Sequence, residues 1–240
     1  MTRFFQNDQC LFCLEEIQPK ISWCDLFSQS VETTLCEACT SKLKQISGAG
    51  CRICSRPFEG LSPDFRKDDL CFDCFRWEED PEWKHQLDRN ISIFVYNDFI
   101  KDMIARFKFR GDYILSKAFA GYIETRLNSF HTHLLVPIPL SEERLYDRGF
   151  NQAEALINEA GLSPSNCLSR IHTEKQSKKS RSERIHLPQV FQVLEPDQVA
   201  SKQIILIDDI YTTGSTLRHA AKQLKAAGAI SVSSITLARG

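Results

Sequence analysis

Apolar and polar residues follow two different patterns along the chain, and the pattern changes near residue 90. From residue 10 to residue 74, short segments show no sustained helical or alternating period, which is typical of a small fold held together by bound ligands more than by a core. After residue 90, apolar runs alternate with segments of helical period, which indicates strands and helices in turn. The predicted strands span 91–96, 134–138, 190–194, 203–207 and 231–237, and the predicted helices span 99–107, 114–130, 151–160 and 216–227.

This alternation predicts an α/β domain with a mostly parallel sheet flanked by helices, and such sheets bind ligands at the carboxyl ends of their strands. A polar segment over 76–90, which contains Pro81, separates the two patterns. We therefore predict a small cysteine-rich module over residues 1–80 and the α/β domain over residues 88–240. Residues 173–183 are charged and have no apolar period, which predicts a loop.

Composition indicates that the two parts differ in charge, and it bears on the compartment in which the protein works. The 240 residues are 42% hydrophobic and carry 30 Lys/Arg against 31 Asp/Glu, which excludes a disordered chain and a polycation. The even balance is a cancellation, because residues 1–87 carry 10 basic and 15 acidic residues and residues 88–240 carry 20 and 16. No apolar run approaches the roughly 20 residues of a membrane span, and the N-terminus has no export-signal pattern. We expect a cytoplasmic protein without membrane insertion, where disulfides do not persist.

Nine of the ten cysteines lie in the first 74 residues, and eight of them form CxxC pairs. The pairs are Cys10/Cys13, Cys36/Cys39, Cys51/Cys54 and Cys71/Cys74. Two such pairs supply the four thiolates of a closed zinc site, so four pairs predict two zinc sites with four cysteine ligands each. Consecutive pairing is our prediction, the spacing leaves a cross-braced pairing open, and redox or disulfide cysteines are the alternative to zinc. Cys24 and Cys167 have no partner at ligand spacing and are predicted to be small buried residues.

The most informative segment joins a buried strand to the start of a helix. Residues 204–207 are apolar, Asp208 and Asp209 follow them, and a hydroxyl-rich turn then opens the helix. The turn residues are Thr212, Thr213, Gly214, Ser215 and Thr216. Backbone N–H groups at a helix start bind phosphate, and two carboxylates accept hydrogen bonds from vicinal ribose hydroxyls or face a Mg²⁺-bound pyrophosphate. The alternative interpretation is purely structural: an acid pair ends the strand and the turn caps the helix. It explains the acid pair or the turn alone, but it explains their combination poorly.

This segment resembles the 5-phosphoribosyl-1-pyrophosphate (PRPP) motif of type I phosphoribosyltransferases: an apolar run, two acidic residues and a Thr-Gly loop. The likeness extends to residues 107–112, 136–141, 148–153 and 176–184, which follow the four CxxC pairs in that order. Over nearly its whole length the chain is similar to the ComF/GntX family. The family implies a type I phosphoribosyltransferase-like sheet preceded by a double zinc ribbon.

The resemblance also implies roles for individual residues. Asp208 and Asp209 would meet the ribose hydroxyls, and residues 212–216 would meet the 5′-phosphate, with Mg²⁺ bound together with PRPP. The residues after the strand that ends near 138 would correspond to the pyrophosphate loop, and residues 173–188 to the flexible loop that closes over the site. The predicted pyrophosphate loop consists of Pro139, Leu140 and Ser141.

Two basic stretches are candidates for contact with nucleic acid. The first contains Arg106, Lys108 and Arg110 between phenylalanines, and the second contains Lys178, Lys179, Arg181 and Arg184. Positive groups beside aromatic rings are what a sequence-tolerant single-strand binder uses. The alternatives are core packing of the phenylalanines and attraction of pyrophosphate by the loop. Because the cysteine-rich module is acidic, we predict a structural or protein-docking role for it.

Three functions stay open at this point. The resemblance favours a late competence protein that handles incoming single-stranded DNA during natural transformation and binds PRPP. Its partners would include other competence proteins such as a DNA-uptake helicase, and it would contact them at the inner face of the membrane. The second function is an active Mg²⁺-dependent phosphoribosyltransferase on an unidentified acceptor, and the third is a non-catalytic interaction scaffold. We expect the first function, because residues 91–121 contain no set of side chains suited to recognise a particular acceptor base.

Overall fold

A computed structural model describes residues 9–17, 33–109, 111–130, 132–171 and 190–240. The part that contains the CxxC pairs has only short elements joined by turns. They are helix α1 (Glu37–Thr40), strands β1 (Arg66–Lys67) and β2 (Leu70–Cys71), and helix α2 (Phe72–Glu79). β1 and β2 pair antiparallel, and α2 begins directly after them.

The following part alternates strands with helices. In chain order its elements are β3 (Asn90–Val95), α3 (Asp98–Phe109), α4 (Ser116–Leu127), β4 (Leu134–Pro137), α5 (Glu142–Arg148), α6 (Gln152–Glu159), β5 (Leu168–Arg170), β6 (Phe191–Val193), α7 (Pro196–Val199), β7 (Gln203–Tyr211), α8 (Ser215–Ala226) and β8 (Ser231–Arg239). A 3₁₀ turn over Tyr113–Leu115 leads into α4.

The central sheet has four parallel strands in the order β3-β8-β7-β4. Over residues 204–207 the middle strand β7 is apolar on both faces, because each face is covered. Ile205 and Ile207 pack in one cluster with α3, α4 and α6, whereas Ile204 and Leu206 pack in another with α8, as alternation along a strand requires. The second of these clusters also contains the four cysteines of residues 51–74. The predicted α/β class, with a parallel sheet and a cysteine-rich module before it, is confirmed.

Some elements differ from those that the sequence pattern predicts. β7 continues four residues past the predicted end at 207, through the acid pair to Tyr211, because β8 continues beside it to Arg239. The pattern does not predict α5, which has no buried residue among its seven and therefore no apolar period. It also misses β5 and α7, which are three and four residues long.

The polar segment between the two parts packs against the sheet domain. Trp83 and Leu87 are buried, and the Trp83 ring meets His219 of α8 edge to face, with centroids 4.5 Å apart. Asp88 Oδ2 accepts the backbone N–H of Val232 at 2.8 Å. The division at residues 80 and 88 stays a prediction. No helix in the described ranges has the length and apolar content needed to cross a membrane.

Candidate ligand-binding site and metal centres

The two acidic residues lie inside β7, just beyond the point where the neighbouring strand ends. Pro137, the last residue of β4, pairs with Ile207, so β4 does not run beside Asp208 and Asp209. On their other side β8 continues, with Thr236 paired to Asp208. The carboxylates therefore stand at the carboxyl edge of the parallel sheet, where α/β folds bind ligands.

A cation from α3 contacts the acid pair. Lys108 Nζ lies 2.8 Å from Asp209 Oδ2, and both side chains are largely buried. Asp208 Oδ1 accepts the backbone N–H of Asp209 at 2.9 Å. Burial, followed by the charge of Asp209, raises the pKa of Asp208 to about 7, although that N–H, Lys108 and Arg148 act in the opposite direction. Near neutral pH, a ligand that supplies hydrogen-bond donors or a cation favours the ionised form of this carboxyl.

A glycine shapes the turn that follows β7, residues 212–216, which we call the Thr-Gly turn. Gly214 has a φ of +80°, and a Cβ there would lie 2.1 Å from the Tyr211 hydroxyl oxygen and 3.1 Å from Arg218 Nη1. Gly214 directly precedes α8, whose first N–H groups have no acceptor within the helix. Thr213 is half-buried, and its Oγ1 accepts the N–H of Ser215 at 3.4 Å. The exposed members of the turn are Thr212 and Thr216.

The predicted pyrophosphate loop leaves the sheet next to the Thr-Gly turn. Residues 139–141 begin two positions after the last residue of β4, the parallel neighbour of β7, and are half-buried. Ser141 is the N-cap of α5, and its Oγ accepts the N–H of Arg144 at 3.4 Å. The structure thus brings the two predicted phosphate-binding segments and the acid pair to neighbouring strand ends.

Arg148 is a neighbour of the acid pair that sequence reasoning did not assign to the site. Its Nη1 donates to Gln152 Oε1 at 2.7 Å. Burial lowers the pKa of Arg148, and the carboxylates of Asp209 and Asp208 oppose that shift, which places the guanidinium within their field. The signal was present in the sequence, since Arg148 opens the motif over 148–153 that carries part of the family resemblance.

The CxxC cysteines form two groups of four. The first cluster is Cys10, Cys13, Cys36 and Cys39, and the second is Cys51, Cys54, Cys71 and Cys74. Within each cluster the sulfur atoms all lie within 4.8 Å of one another, with Sγ separations of 3.6 Å between Cys13 and Cys36 and 3.5 Å between Cys54 and Cys71. A tetrahedral site with Zn–S bonds of about 2.3 Å has edges of about 3.8 Å, so both clusters can hold a metal ion. The grouping is consecutive along the chain.

Both clusters begin with the same backbone turn. In the first, Leu14 has a φ of 65° and its N–H bonds the carbonyl oxygen of Cys10 at 2.9 Å. In the second, Ser55 has a φ of 59° and its N–H bonds the carbonyl oxygen of Cys51 at 2.9 Å. The same short turn therefore presents a CxxC pair twice, which makes the two clusters structural repeats.

The second cluster has a cationic neighbour that sequence reasoning missed. Arg239 Nε donates to Cys54 Sγ at 3.3 Å, across 185 positions of the chain, a separation that leaves no local sequence signal. Cys167, predicted to be buried, is 2% exposed in the core on that side of the sheet. Cys24 lies outside the described residues.

Two of the residues predicted to contact nucleic acid are engaged within the protein. Lys108 pairs with Asp209, as described above. Arg106 Nη2 bonds Asp112 Oδ2 at 2.9 Å, and its Nη1 donates to the carbonyl oxygen of Phe12 in the first cluster. Nucleic-acid contact at these positions stays a prediction. The remaining residues of that prediction, Arg110, Lys178, Lys179, Arg181 and Arg184, lie outside the described residues, as does the whole of the predicted closing loop over 173–188.

Comparisons with known proteins match both the sheet domain and the whole chain. The sequence model of the phosphoribosyl transferase domain family matches residues 147–240, which include the acid pair and the Thr-Gly turn. Competence protein ComFC of Bacillus subtilis is 38% identical over 96% of this chain and 94% of its own length. Competence protein ComFC of Streptococcus pneumoniae is 34% identical over 96% of this chain and 100% of its own length.

Among solved structures, a hypoxanthine phosphoribosyltransferase from Staphylococcus aureus aligns with 52% of this chain and 62% of its own. The sequence identity is 16% and the TM-score is 0.34, too low to add to the assignment of the fold. The full-length sequence relatives are therefore the matches that determine the family.

Proposed function

This chain belongs to the ComF/GntX family, and we propose that it is a late competence protein that handles incoming single-stranded DNA and binds PRPP at the Thr-Gly turn. The names of its full-length relatives support the competence role. The phosphoribosyl transferase domain model covers the acid pair and the turn, which supports PRPP as the small-molecule ligand.

One observation carries the PRPP assignment: an acid pair, a glycine-containing turn and the start of a buried helix occur together at one edge of the sheet. Asp208 and Asp209 accept hydrogen bonds from ribose hydroxyls in this proposal, and the backbone donors of residues 212–216 bind the 5′-phosphate. Residues 139–141 bind the pyrophosphate. Mg²⁺, bound together with PRPP, supplies neutralising charge on the pyrophosphate.

Lys108 has a defined part in this site. Its ammonium group contacts Asp209. Ribose hydroxyls that donate to the same carboxylate replace that contact in this proposal, and Lys108 Nζ then becomes available to an anionic group of the ligand. The positive charge of Lys108 also offsets part of the repulsion between the two adjacent carboxylates.

Zinc is the metal that we assign to both cysteine clusters. Four thiolates in a closed tetrahedral arrangement are the ligand set of structural zinc, and the sulfur separations of 3.5 Å and 3.6 Å support it. The role of these ions is structural, since a site with four protein ligands leaves no position for a substrate.

The test of the PRPP site is titration calorimetry with PRPP and MgCl₂ on the wild type and the double variant Asp208→Asn/Asp209→Asn. We expect at least about 100-fold weaker binding in the variant, because two charge-assisted acceptors are lost. Asp197→Asn, an exposed acid in α7, is the matched control and keeps wild-type affinity. Circular dichroism checks that the double variant stays folded. Unaltered affinity in a folded double variant would overturn the site assignment.

The DNA-handling part is tested by fluorescence anisotropy with a labelled single-stranded oligonucleotide. We expect binding that weakens as salt rises, with a log–log slope of about −0.7 for each phosphate contacted. A duplex of the same sequence is the comparison, and we expect it to bind more weakly because its bases are not free to stack on aromatic rings. Absence of salt-dependent binding to the single strand would contradict the proposal.

A further inference from the structure

The second cysteine cluster is connected to the Thr-Gly turn through Arg239. This residue ends β8, is 4% exposed, and pairs with Tyr211 in the register of the sheet. Its Nε donates to Cys54 Sγ at 3.3 Å. Its Nη1 donates to the carbonyl oxygens of Tyr211 at 3.2 Å and Thr212 at 2.9 Å. One guanidinium group therefore joins a cluster sulfur to the first residue of the turn.

Helix α2 makes a second connection between the same two places. It carries Cys74, whose Sγ lies 4.0 Å from the Tyr211 hydroxyl. One turn further along, Trp77 Nε1 donates to the carbonyl oxygen of Thr213 at 2.8 Å. The turn is thus held on its cluster side by a side chain from β8 and by another from the helix that supplies a cluster ligand.

Charge and geometry both link Arg239 to a bound metal. A site of four thiolates with a divalent ion carries a net charge of about −2, and Arg239 is a buried cation in contact with it. Arg239 Nη2 is also buried and has no hydrogen-bond partner within the described part of the chain, which fits a guanidinium whose charge is balanced by the cluster. A metal ion held by the cluster would fix the position of Cys54 Sγ, and that sulfur would in turn orient the guanidinium toward the turn.

We propose that the metal ion of the second cluster positions the Thr-Gly turn for its ligand, with Arg239 as the positioning residue between them. This inference rests on the proposed PRPP site and gives that site a dependence on metal occupancy. Because coupling between two sites is reciprocal, a turn ordered by PRPP also holds the second metal more tightly.

The first test is hydrogen exchange of the amides in residues 212–216, measured on the zinc-saturated full chain. In Arg239→Met we expect exchange at least about tenfold faster than in the wild type and PRPP binding about 10- to 100-fold weaker. Arg239→Lys keeps the charge but cannot reach the sulfur and both carbonyl oxygens together. We therefore expect its exchange rate and its PRPP affinity to lie between those of the wild type and Arg239→Met. Arg106→Met, which removes the arginine that bonds the carbonyl oxygen of Phe12 between Cys10 and Cys13, is the matched control and leaves the exchange of this turn unchanged. Wild-type protection in Arg239→Met would overturn the proposal.

The second test measures the zinc affinity of Cys13→Ser, in which only the second cluster retains four cysteines, by equilibrium competition with a colorimetric chelator. PRPP at about 100 times its dissociation constant should tighten zinc binding by about tenfold. Equal zinc affinities with and without bound PRPP would overturn the coupling. Failure of the wild type to bind PRPP would instead overturn the proposed function, and the exchange measurement on Arg239→Met, which uses no PRPP, would still show whether Arg239 orders the turn.

Discussion

The two cysteine clusters are built alike and placed differently. Each begins with a CxxC turn that is closed by a residue of positive φ, Leu14 in the first and Ser55 in the second. In the first cluster Cys13 is exposed and Cys36 is half-buried, whereas all four cysteines of the second are buried. The same ligand motif therefore occurs once at the periphery and once inside the protein.

Their neighbours differ as well. The first cluster packs against the helix layer, where the Phe12 ring meets Phe99 of α3 with centroids 4.9 Å apart and Arg106 bonds the carbonyl oxygen of Phe12. The second packs beneath the Thr-Gly turn, with Arg239 and Trp77 bonded to the backbone of that turn. Local sequence thus defines the metal ligands, while tertiary surroundings define what each metal supports.

The largest expected difference comes from removing one ligand of each cluster. Cys71→Ser deprives the buried second cluster of a thiolate, and we expect the free energy of unfolding to fall by more than about 4 kcal/mol, because metal binding contributes directly to folding. The equivalent loss in Cys13→Ser should be about half of that or less, since its side chain is exposed and the sheet edge stays packed. Urea unfolding and metal content by mass spectrometry measure both.

A buried cysteine outside the clusters separates the metal from the core. Cys167→Ser places a hydroxyl in the same buried layer as the second cluster without changing a metal ligand. This substitution should lower the free energy of unfolding by about 1–3 kcal/mol and leave two zinc ions bound.

For the two ligand substitutions, equal losses of stability in Cys71→Ser and Cys13→Ser would show that the two clusters contribute alike, and the contrast between them would fail.

An effect smaller than the loss of a ligand from the second cluster is expected from two glycines of positive φ, one on each side of the site. Gly214 faces Tyr211 beside the second cluster, where a Cβ would lie 2.1 Å from the hydroxyl oxygen, whereas Gly111 follows α3 and would meet only the Arg148 carbonyl oxygen at 3.5 Å. Gly214→Ala should therefore cost about 2–4 kcal/mol, from backbone strain plus overlap, and Gly111→Ala about 1 kcal/mol, from strain alone. Thermal unfolding compares them, and similar costs would mean that the turn is not tightly held on its cluster side.

The sequence predicts the parts of this site that depend on residues close together in the chain. The eight ligand cysteines, the acid pair and the Thr-Gly turn are each local patterns, and the structure brings the acid pair, the turn and residues 139–141 to neighbouring strand ends. The alternation of strands and helices predicts a parallel sheet but not the order of its strands, so the pairing of β4 with β7 is known only from the structure.

The contacts between these parts could not be predicted in the same way. Lys108 meets Asp209, and Arg239 meets Cys54, only because the sheet and helices bring distant positions together. The phenylalanines on either side of Lys108 favoured contact with nucleic acid instead, because single-strand binders place positive groups beside aromatic rings. The exposed helix α5 was missed for a related reason, since a helix that buries nothing has no apolar period.

The smallest predicted effect concerns pH on the α3 side of the site, where Lys108 contacts Asp209. Burial raises the pKa of Asp208 to about 7, so between about pH 4 and pH 7 the folded protein keeps this carboxyl protonated while the unfolded chain has it ionised. The folded state binds the extra proton, and this group therefore makes stability fall as pH rises through that window. Asp208→Asn cannot ionise, so it should gain about 1–2 kcal/mol over the wild type at pH 8 and about half of that at pH 5.5.

Urea unfolding of zinc-saturated protein at about pH 5.5 and pH 8 measures the difference between Asp208→Asn and the wild type at each pH. Asp197→Asn, an exposed carboxyl, should follow the wild type at both values. Asp209→Asn should instead lose stability, because it leaves the largely buried Lys108 ammonium without its carboxylate 2.8 Å away. The opposite signs of the two neighbouring substitutions would localise the pH effect to one carboxyl, whereas a gain that is equal at both pH values would rule out titration of Asp208 as its source.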